Sequence, residues 1–205
     1  MGESNREYLL AAGLAVLGAL AMGQGMRSPD PGPRYRDLGG PSALWTVPDG
    51  DALPPSPPMR IRIPDIGLDA ATMNLGQNDD GTVQVPPFAR AGLAGWYERG
   101  PAPGARGSSV LLGHYDDREG PAVFYRLREL KPGATVRVTR RDRRTAVFRV
   151  DATERVRKRE FPRGRVYGEV RYAGLRLVTC GGAYDRDERS YRDNVIVYAH
   201  LIGGR

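Results

Sequence analysis

Cysteine occurs once and histidine twice in 205 residues. One thiol excludes an intramolecular disulfide framework and a Cys-rich zinc site, and two imidazoles exclude a multi-histidine metal cage within one chain. Lysine is as scarce, since arginine supplies 29 of the 31 basic residues. The densest basic patches, Arg140 to Arg144 and Arg155 to Arg165, have only Phe161 and Tyr167 as aromatic neighbours. Single-stranded nucleic acid wants bases stacked between interleaved cations and aromatics, so nucleic acid is not an expected partner and both patches read as solvated, the first as a hairpin tip and the second as a loop. Any chemistry in this chain rests on very few groups.

What is present suffices for one domain with extensions. Apolar residues make up 40% of the chain, enough for a real core, and the formal net charge is +7, which makes an anionic lipid or wall polymer a conceivable contact. Glycine (27) and proline (17) are abundant without reaching low complexity.

The proline is concentrated. Nine of the 17 fall between Ser28 and Pro58, where they remove donors and fix φ, so residues 28–58 read as a semi-rigid extended linker. Before it, Tyr8 to Met26 form 19 consecutive uncharged residues. As a helix this run spans roughly 28 Å, close to the hydrocarbon thickness of a bilayer. Residues 1–27 are therefore expected to be an uncleaved single-pass membrane anchor. The alternative is a cleaved signal, for which Ala19-Leu20-Ala21 would serve as the site. Arg27, Arg34 and Arg36 follow the run, and counting charges would put that side in the cytoplasm, against the orientation reached below.

Residues 59–205 read as a single all-β domain. Short runs rich in β-branched residues recur at Arg60 to Ile63, Thr82 to Val85, Val110 to Leu112, Thr135 to Thr139, Ala146 to Val150, Leu175 to Cys180 and Val195 to Leu201. Turn signals such as Asn78-Asp79-Asp80-Gly81 and Lys131-Pro132-Gly133 separate them. Val123, Phe124, Leu127 and Leu130 have helical spacing before Pro132 ends it. Seven or eight strands with one or two small helices predict a closed or nearly closed barrel.

Cys180 ends an apolar run and precedes Gly181-Gly182, which predicts a thiol at a strand end beside a turn. An unpaired thiol outside the cytoplasm is a liability unless it works, so Cys180 is a candidate nucleophile. His114 likewise follows Ser109 to Gly113 and is expected at a rim, whereas His200 sits within the last strand and reads as structural. Thiol chemistry needs a thiolate, a proton carrier and a positive group where an oxyanion develops. Arg186, Arg189 and Arg192 all lie within 12 residues after Cys180. Arg186 and Arg189 stand among carboxylates that can neutralise them, while Arg192 opens the final strand.

Leu177-Val178-Thr179-Cys180 resembles the T-L-x-T-C signature of the sortases, with Arg176 in place of the first threonine. Gly113-His114 resembles the family's histidine motif, and Arg192 matches its arginine by position. The order His, Cys, Arg carries the resemblance, supported by Gly95-Trp96-Tyr97, Pro103-Gly104 and Val123 to Leu127. The Cys-Gly-Gly and Tyr-Arg-Asp-Asn-Val contexts are most similar to class F, with class E next.

The resemblance implies a closed eight-stranded β-barrel behind an N-terminal transmembrane helix, with the catalytic domain extracellular. It implies a cysteine transpeptidase with catalytic residues His114, Cys180 and Arg192, no cofactor and no metal. The implied partners are secreted proteins bearing a C-terminal sorting motif and an amine acceptor from a cell-wall precursor or another protein. Thr179 and the segment from Asp151 to Tyr172 are the candidates for lining a peptide groove. The competing readings are a plain cysteine peptidase and a non-catalytic, membrane-tethered wall-binding module.

Overall fold

Alternating apolar residues, cut by glycine and proline turns, pair here into eight strands. The computed structural model describes residues 52–204. The anchor expected over 1–27 and most of the linker expected over 28–58 lie outside the described residues. The strands are β1 (Pro58–Ile63), β2 (Leu68–Leu75), β3 (Ala94–Tyr97), β4 (Gly107–Leu112), β5 (Thr135–Arg140), β6 (Thr145–Arg157), β7 (Ala173–Asp185) and β8 (Ser190–Gly204). They close into a barrel in the order β1-β2-β3-β4-β7-β8-β6-β5. A five-residue helix, α1 (Arg163–Tyr167), lies between β6 and β7.

Side chains alternate across each strand, and the two sets form two clusters. Ile61, Ile63, Leu111, Val136, Val138, Phe148, Leu175, Leu177 and Val197 come from strands all round the barrel and fill its interior. Fully burying one such side chain contributes about 1.5–3 kcal/mol. The alternate residues of β4, β7 and β8, including Val110, Leu112, Val178, Cys180, Ile196 and Tyr198, form a second cluster on the outward face.

That outward face is covered because two neighbouring pairs, β2 with β3 and β4 with β7, run parallel. Parallel neighbours need long crossovers, and here the crossovers pass over the sheet. The β2–β3 connection carries the turn Phe88–Arg90. The β6–β7 connection skips over β8 and carries the turn Lys158–Glu160 and then α1.

Several sequence expectations are corrected. Thr82 to Val85 forms only an isolated bridge, Gln77 to Val83, since Pro86 and Pro87 next to it supply no donors for a ladder. β2 and β3 were not among the expected runs, because Leu68–Leu75 does not alternate cleanly and β3 has only four residues. The helical spacing from Val123 to Leu130 does bury Phe124, Leu127 and Leu130, yet the segment forms only the 3-10 turn Leu127–Glu129. Bracketed by Pro121 and Pro132, it is too short to propagate a helix. The segment Arg155 to Arg165 is not a loop throughout, as it contains the end of β6, a 3-10 turn and the start of α1. Arg141 to Arg144 does join β5 to β6, but Arg140 is buried and its guanidinium donates to the Pro54 carbonyl and to Asp142. Residues at the end of the Pro-rich stretch thus lie against the barrel, with the Leu53 amide donating to the Gly104 carbonyl at 2.8 Å.

Candidate active site

Cys180 does not end its strand. β7 continues through Gly181 and Gly182 to Asp185 as one arm of a hairpin with β8, so the thiol lies inside the sheet with 4% of the residue exposed. The Gly-Gly pair makes a bulge, not a turn: the register with β8 slips between Gly181 and Tyr184, and Gly182 has φ +77°. A Cβ at Gly182 would lie 2.2 Å from Asp193 Oδ2, so glycine is required there on both counts.

Strand register brings His114 to this thiol. In the parallel β4–β7 pair, Leu112 stands opposite Val178, and the Gly113 amide extends the ladder to the Val178 carbonyl at 3.1 Å. Two residues further along both chains, His114 is level with Cys180 and on the same outward face. A Cβ on Gly113 would come within 2.6 Å of both Val123 and Phe124, so the close seat of this segment also depends on glycine. On the far side, Cys180 stands opposite Asn194 of β8, which stands opposite Val156 of β6. His114, two residues past the end of β4, therefore continues a row formed by Cys180, Asn194 and Val156 across β7, β8 and β6.

The β2–β3 crossover fixes the imidazole. His114 Nε2 lies 2.6 Å from the Pro86 carbonyl oxygen, and the Phe88 ring stacks on the imidazole at 4.5 Å with planes 19° apart. A carbonyl only accepts, so Nε2 carries a proton and donates it there. The exchangeable second proton of the ring belongs to Nδ1.

Around the thiol, burial is the largest influence and pushes its pKa up, because a thiolate is poorly solvated beneath the crossovers. The Lys158 ammonium opposes this both as a nearby charge and as a hydrogen-bond donor, while the Asp116 carboxylate adds to the upward push. Asp116 in turn accepts the Tyr191 hydroxyl, whose pKa is raised by burial first and then by this carboxylate. Tyr191 packs edge-on against Tyr115 at 5.1 Å and Tyr184 at 5.2 Å, and the Arg128 guanidinium lies over Tyr115 and Tyr125.

Arg192 lies in β8 beside the bulge, near the thiol's row, with its guanidinium turned to Asp185. Nε and Nη2 are each 3.0 Å from Asp185 Oδ2, and its side chain is 66% exposed. Asp185 also accepts the Asp187 and Glu188 amides, and its pKa lies below the usual carboxylate range, first through the Glu188 amide and then through Arg192. Asp185, first of the carboxylates expected to neutralise Arg186 and Arg189, is thus the partner of Arg192. Thr179 stands apart, since it alternates to the inward side of β7, is 1% exposed and leaves Oγ1 without a hydrogen-bond partner among the described residues. Its side chain does not line the outward face. His200 lies within β8, with Nδ1 2.5 Å from Asp151 Oδ1.

A groove of about 470 Å³ runs along the same outward face, lined by Val83, Tyr97, Val110, Arg163 and Tyr167 among others. Val110, its β4 residue nearest His114 in the chain, lies four positions before it, and neither Cys180 nor His114 lines the groove. Burial pushes the Tyr167 hydroxyl up to about 12, and that hydroxyl has no hydrogen-bond partner among the described residues. A buried O–H without an acceptor costs about 1–3 kcal/mol until one arrives. The α1 wall of the groove is braced by Arg176. Its guanidinium donates to the Arg165 carbonyl at 3.1 Å and lies 5.1 Å from the Tyr198 ring centre. Glu154 completes this brace, accepting two hydrogen bonds from Arg165 at 2.8 Å and one from the Tyr198 hydroxyl at 3.0 Å. The arginine that departs from the signature thus anchors a wall of the groove.

Sequence reasoning missed Lys158, Asn194 and Asp116. Lys158 carried a signal, as one of two lysines in an arginine-rich chain. Among the described residues, no group of three or more His, Cys, Asp or Glu side chains is placed to hold a metal ion.

A family model described as the sortase domain matches residues 61–202. No curated protein matches the chain in sequence. Among solved structures, the chain is similar to sortase A of Listeria monocytogenes at 16% identity and TM-score 0.54, over 71% of this chain and 87% of that one. It is similar to the sortase SrtA of Actinomyces oris at 19% identity and TM-score 0.56, over 76% and 89% of the two chains. A sortase D5 transpeptidase of Clostridium perfringens aligns at 20% identity and TM-score 0.51, over 70% and 78%. At these identities the structural likeness concerns the fold.

Proposed function

Since the chain belongs to the sortase family of cysteine transpeptidases, we propose that it cleaves a C-terminal sorting motif in secreted proteins through a Cys180 thioester. The acyl group then passes to an amine of a cell-wall precursor or another protein. The observation that supports this reading is the β4–β7 register, which sets His114 level with Cys180 on the outward face.

The steps follow from the groups available. His114 Nδ1 takes the thiol proton, and Sγ attacks the carbonyl of the Thr–Gly bond in the motif. Arg192, released from Asp185, hydrogen-bonds the carbonyl oxygen as negative charge develops on it. The C–N bond breaks while His114 returns the proton to the leaving amine, which leaves the thioester. The acceptor amine gives its proton to Nδ1 as it attacks, and the thiol is regenerated. The groove along Val110 and Tyr167 holds the peptide, whose backbone carbonyls supply the acceptor that the Tyr167 hydroxyl lacks.

In this reading residues 1–27 anchor the chain in the membrane, 28–58 space the domain from it, and 59–205 work outside the cell. We take the Cys-Gly-Gly and Tyr-Arg-Asp-Asn-Val contexts as support for a reading nearest class F, with class E next. Protease added to protoplasts should digest the domain. Full protection, or release of a form beginning near Met22, contradicts the topology.

The test of function is labelling of the full chain with a thiol-reactive sorting-peptide analogue. A covalent adduct mapped to Cys180, absent in Cys180→Ala, is the expected result. Reversible binding of wall polymer, unaffected by Cys180→Ala and without any adduct, would identify a binding module instead.

A further inference from the structure

The row that carries the nucleophile ends near a cation of its own. Cys180 stands opposite Asn194, and Asn194 opposite Val156. Two residues beyond Val156, at the start of the turn Lys158–Glu160, the chain places Lys158. Its ammonium donates to Ser190 Oγ at 2.6 Å, which ties it to the first residue of β8. From there it acts on the thiol as charge and as donor. Arg192 is differently occupied, with two nitrogens on Asp185 and most of its side chain in solvent.

We propose that Lys158 is the cation that supports the Cys180 thiolate, a task separate from that of Arg192 at the carbonyl oxygen. The inference builds on the transpeptidase reading. The groups that face the thiol differ in kind. Asp116, from the connection after β4, disfavours a thiolate, Tyr191, from β8, is held neutral with its hydroxyl on Asp116, and His114 exchanges the proton. Lys158, from the connection after β6, is the group whose fixed positive charge favours the thiolate. When the thiol proton passes to His114 Nδ1, the thiolate is held against the ammonium. Lys158 takes no part in the proton transfer: in the attack the C–S bond forms, the C–N bond breaks and the proton goes from His114 to the leaving amine.

The chemistry suits lysine. An ammonium is a compact point charge on a flexible stem that can donate to Ser190 and to sulfur at once, whereas a guanidinium spreads its charge over a planar fork suited to oxygen pairs. In a chain with 29 arginines and two lysines, one lysine lies at this position.

The test is the rate of Cys180 alkylation by iodoacetamide across pH 5 to 10 in the full chain, followed by intact mass. Lys158→Met should lower the rate at neutral pH about 10-fold and displace the profile to higher pH, since a nearby opposite charge is what favours the ionised form. Lys158→Gln should do the same, and Lys158→Arg should restore most of the rate. Arg192→Ala should leave the profile where it is. A wild-type profile in either neutral variant, with near-UV circular dichroism intact, overturns the proposal, as does an equal displacement in Arg192→Ala. Alkylation reports on the thiol without any sorting peptide, so the two readings fail separately. A displaced profile with no acyl-enzyme from a sorting peptide sinks the transpeptidase and leaves Lys158 in its place.

Discussion

Strand β7 has two faces that are equally dry and chemically unlike. Leu175 and Leu177 point into the barrel and are enclosed by other strands, whose backbone groups are already spent in ladders. Val178 and Cys180 point outward and are enclosed by crossovers and strand ends. Those covering segments bring a free-standing carbonyl at Pro86, an ammonium at Lys158 and a carboxylate at Asp116 to the buried thiol and its histidine. Burial by strands makes a core, while burial by connections makes a site.

The comparison predicts that changes on the outward face cost turnover and changes on the inward face cost stability. The largest effect should come from His114→Ala, which removes the proton carrier and should lower acyl transfer by about 10²–10⁴-fold with the fold intact. Its inward counterpart, Leu177→Ala, should cost about 2–5 kcal/mol in urea unfolding while the folded fraction keeps its turnover. His200→Ala belongs with the second kind, because it removes a hydrogen-bond partner from the buried Asp151 side chain, at about 1–3 kcal/mol. Comparable turnover losses in His114→Ala and His200→Ala at equal folded concentration would break the comparison.

Arg192→Ala should slow acyl-enzyme formation by about 10²-fold, the loss expected for one oxyanion donor, and Arg192→Lys by less. Arg186→Ala and Arg189→Ala should change it only slightly, as single-turnover kinetics would reveal. Gly113→Ala tests the tight seat behind His114. Its Cβ would press on Phe124 and Val123, so it should cost about 1–3 kcal/mol and reduce turnover as well.

A smaller and more selective effect is expected for Arg176→Met, which loosens α1 from the sheet. It should raise KM for a sorting peptide and leave the alkylation rate of Cys180 unchanged. The smallest is a pH effect on stability. Burial raises the folded thiol above its ordinary value of 9.0, so at alkaline pH the folded chain binds more protons than the unfolded one. Stability from this group is complete below the unfolded value and declines as pH rises toward the folded one. Cys180→Ala should flatten that alkaline decline in denaturant titrations.

The barrel was legible because β-branched runs and turn residues recur along the domain, and because closure is the usual resolution of so many short strands. β2 was not legible, since Leu68–Leu75 is half exposed and does not alternate cleanly. The scarcity of Cys and His singled out Cys180 and His114. Their shared level on the sheet could not be read, because it depends on a parallel pairing between residues 66 positions apart. The same holds for Lys158, whose bond to Ser190 of β8 joins residues far apart in the chain, and for Arg192, whose partner Asp185 becomes a neighbour once the hairpin forms.

Quenched-flow intact mass spectrometry of the full chain mixed with a sorting-motif peptide addresses the central claim. A mass gain equal to the peptide's N-terminal fragment, located on Cys180, discharged by added amine and absent in Cys180→Ala, is the predicted result. Peptide cleavage that proceeds in Cys180→Ala, or that proceeds in the wild type with no adduct at any time, would contradict it.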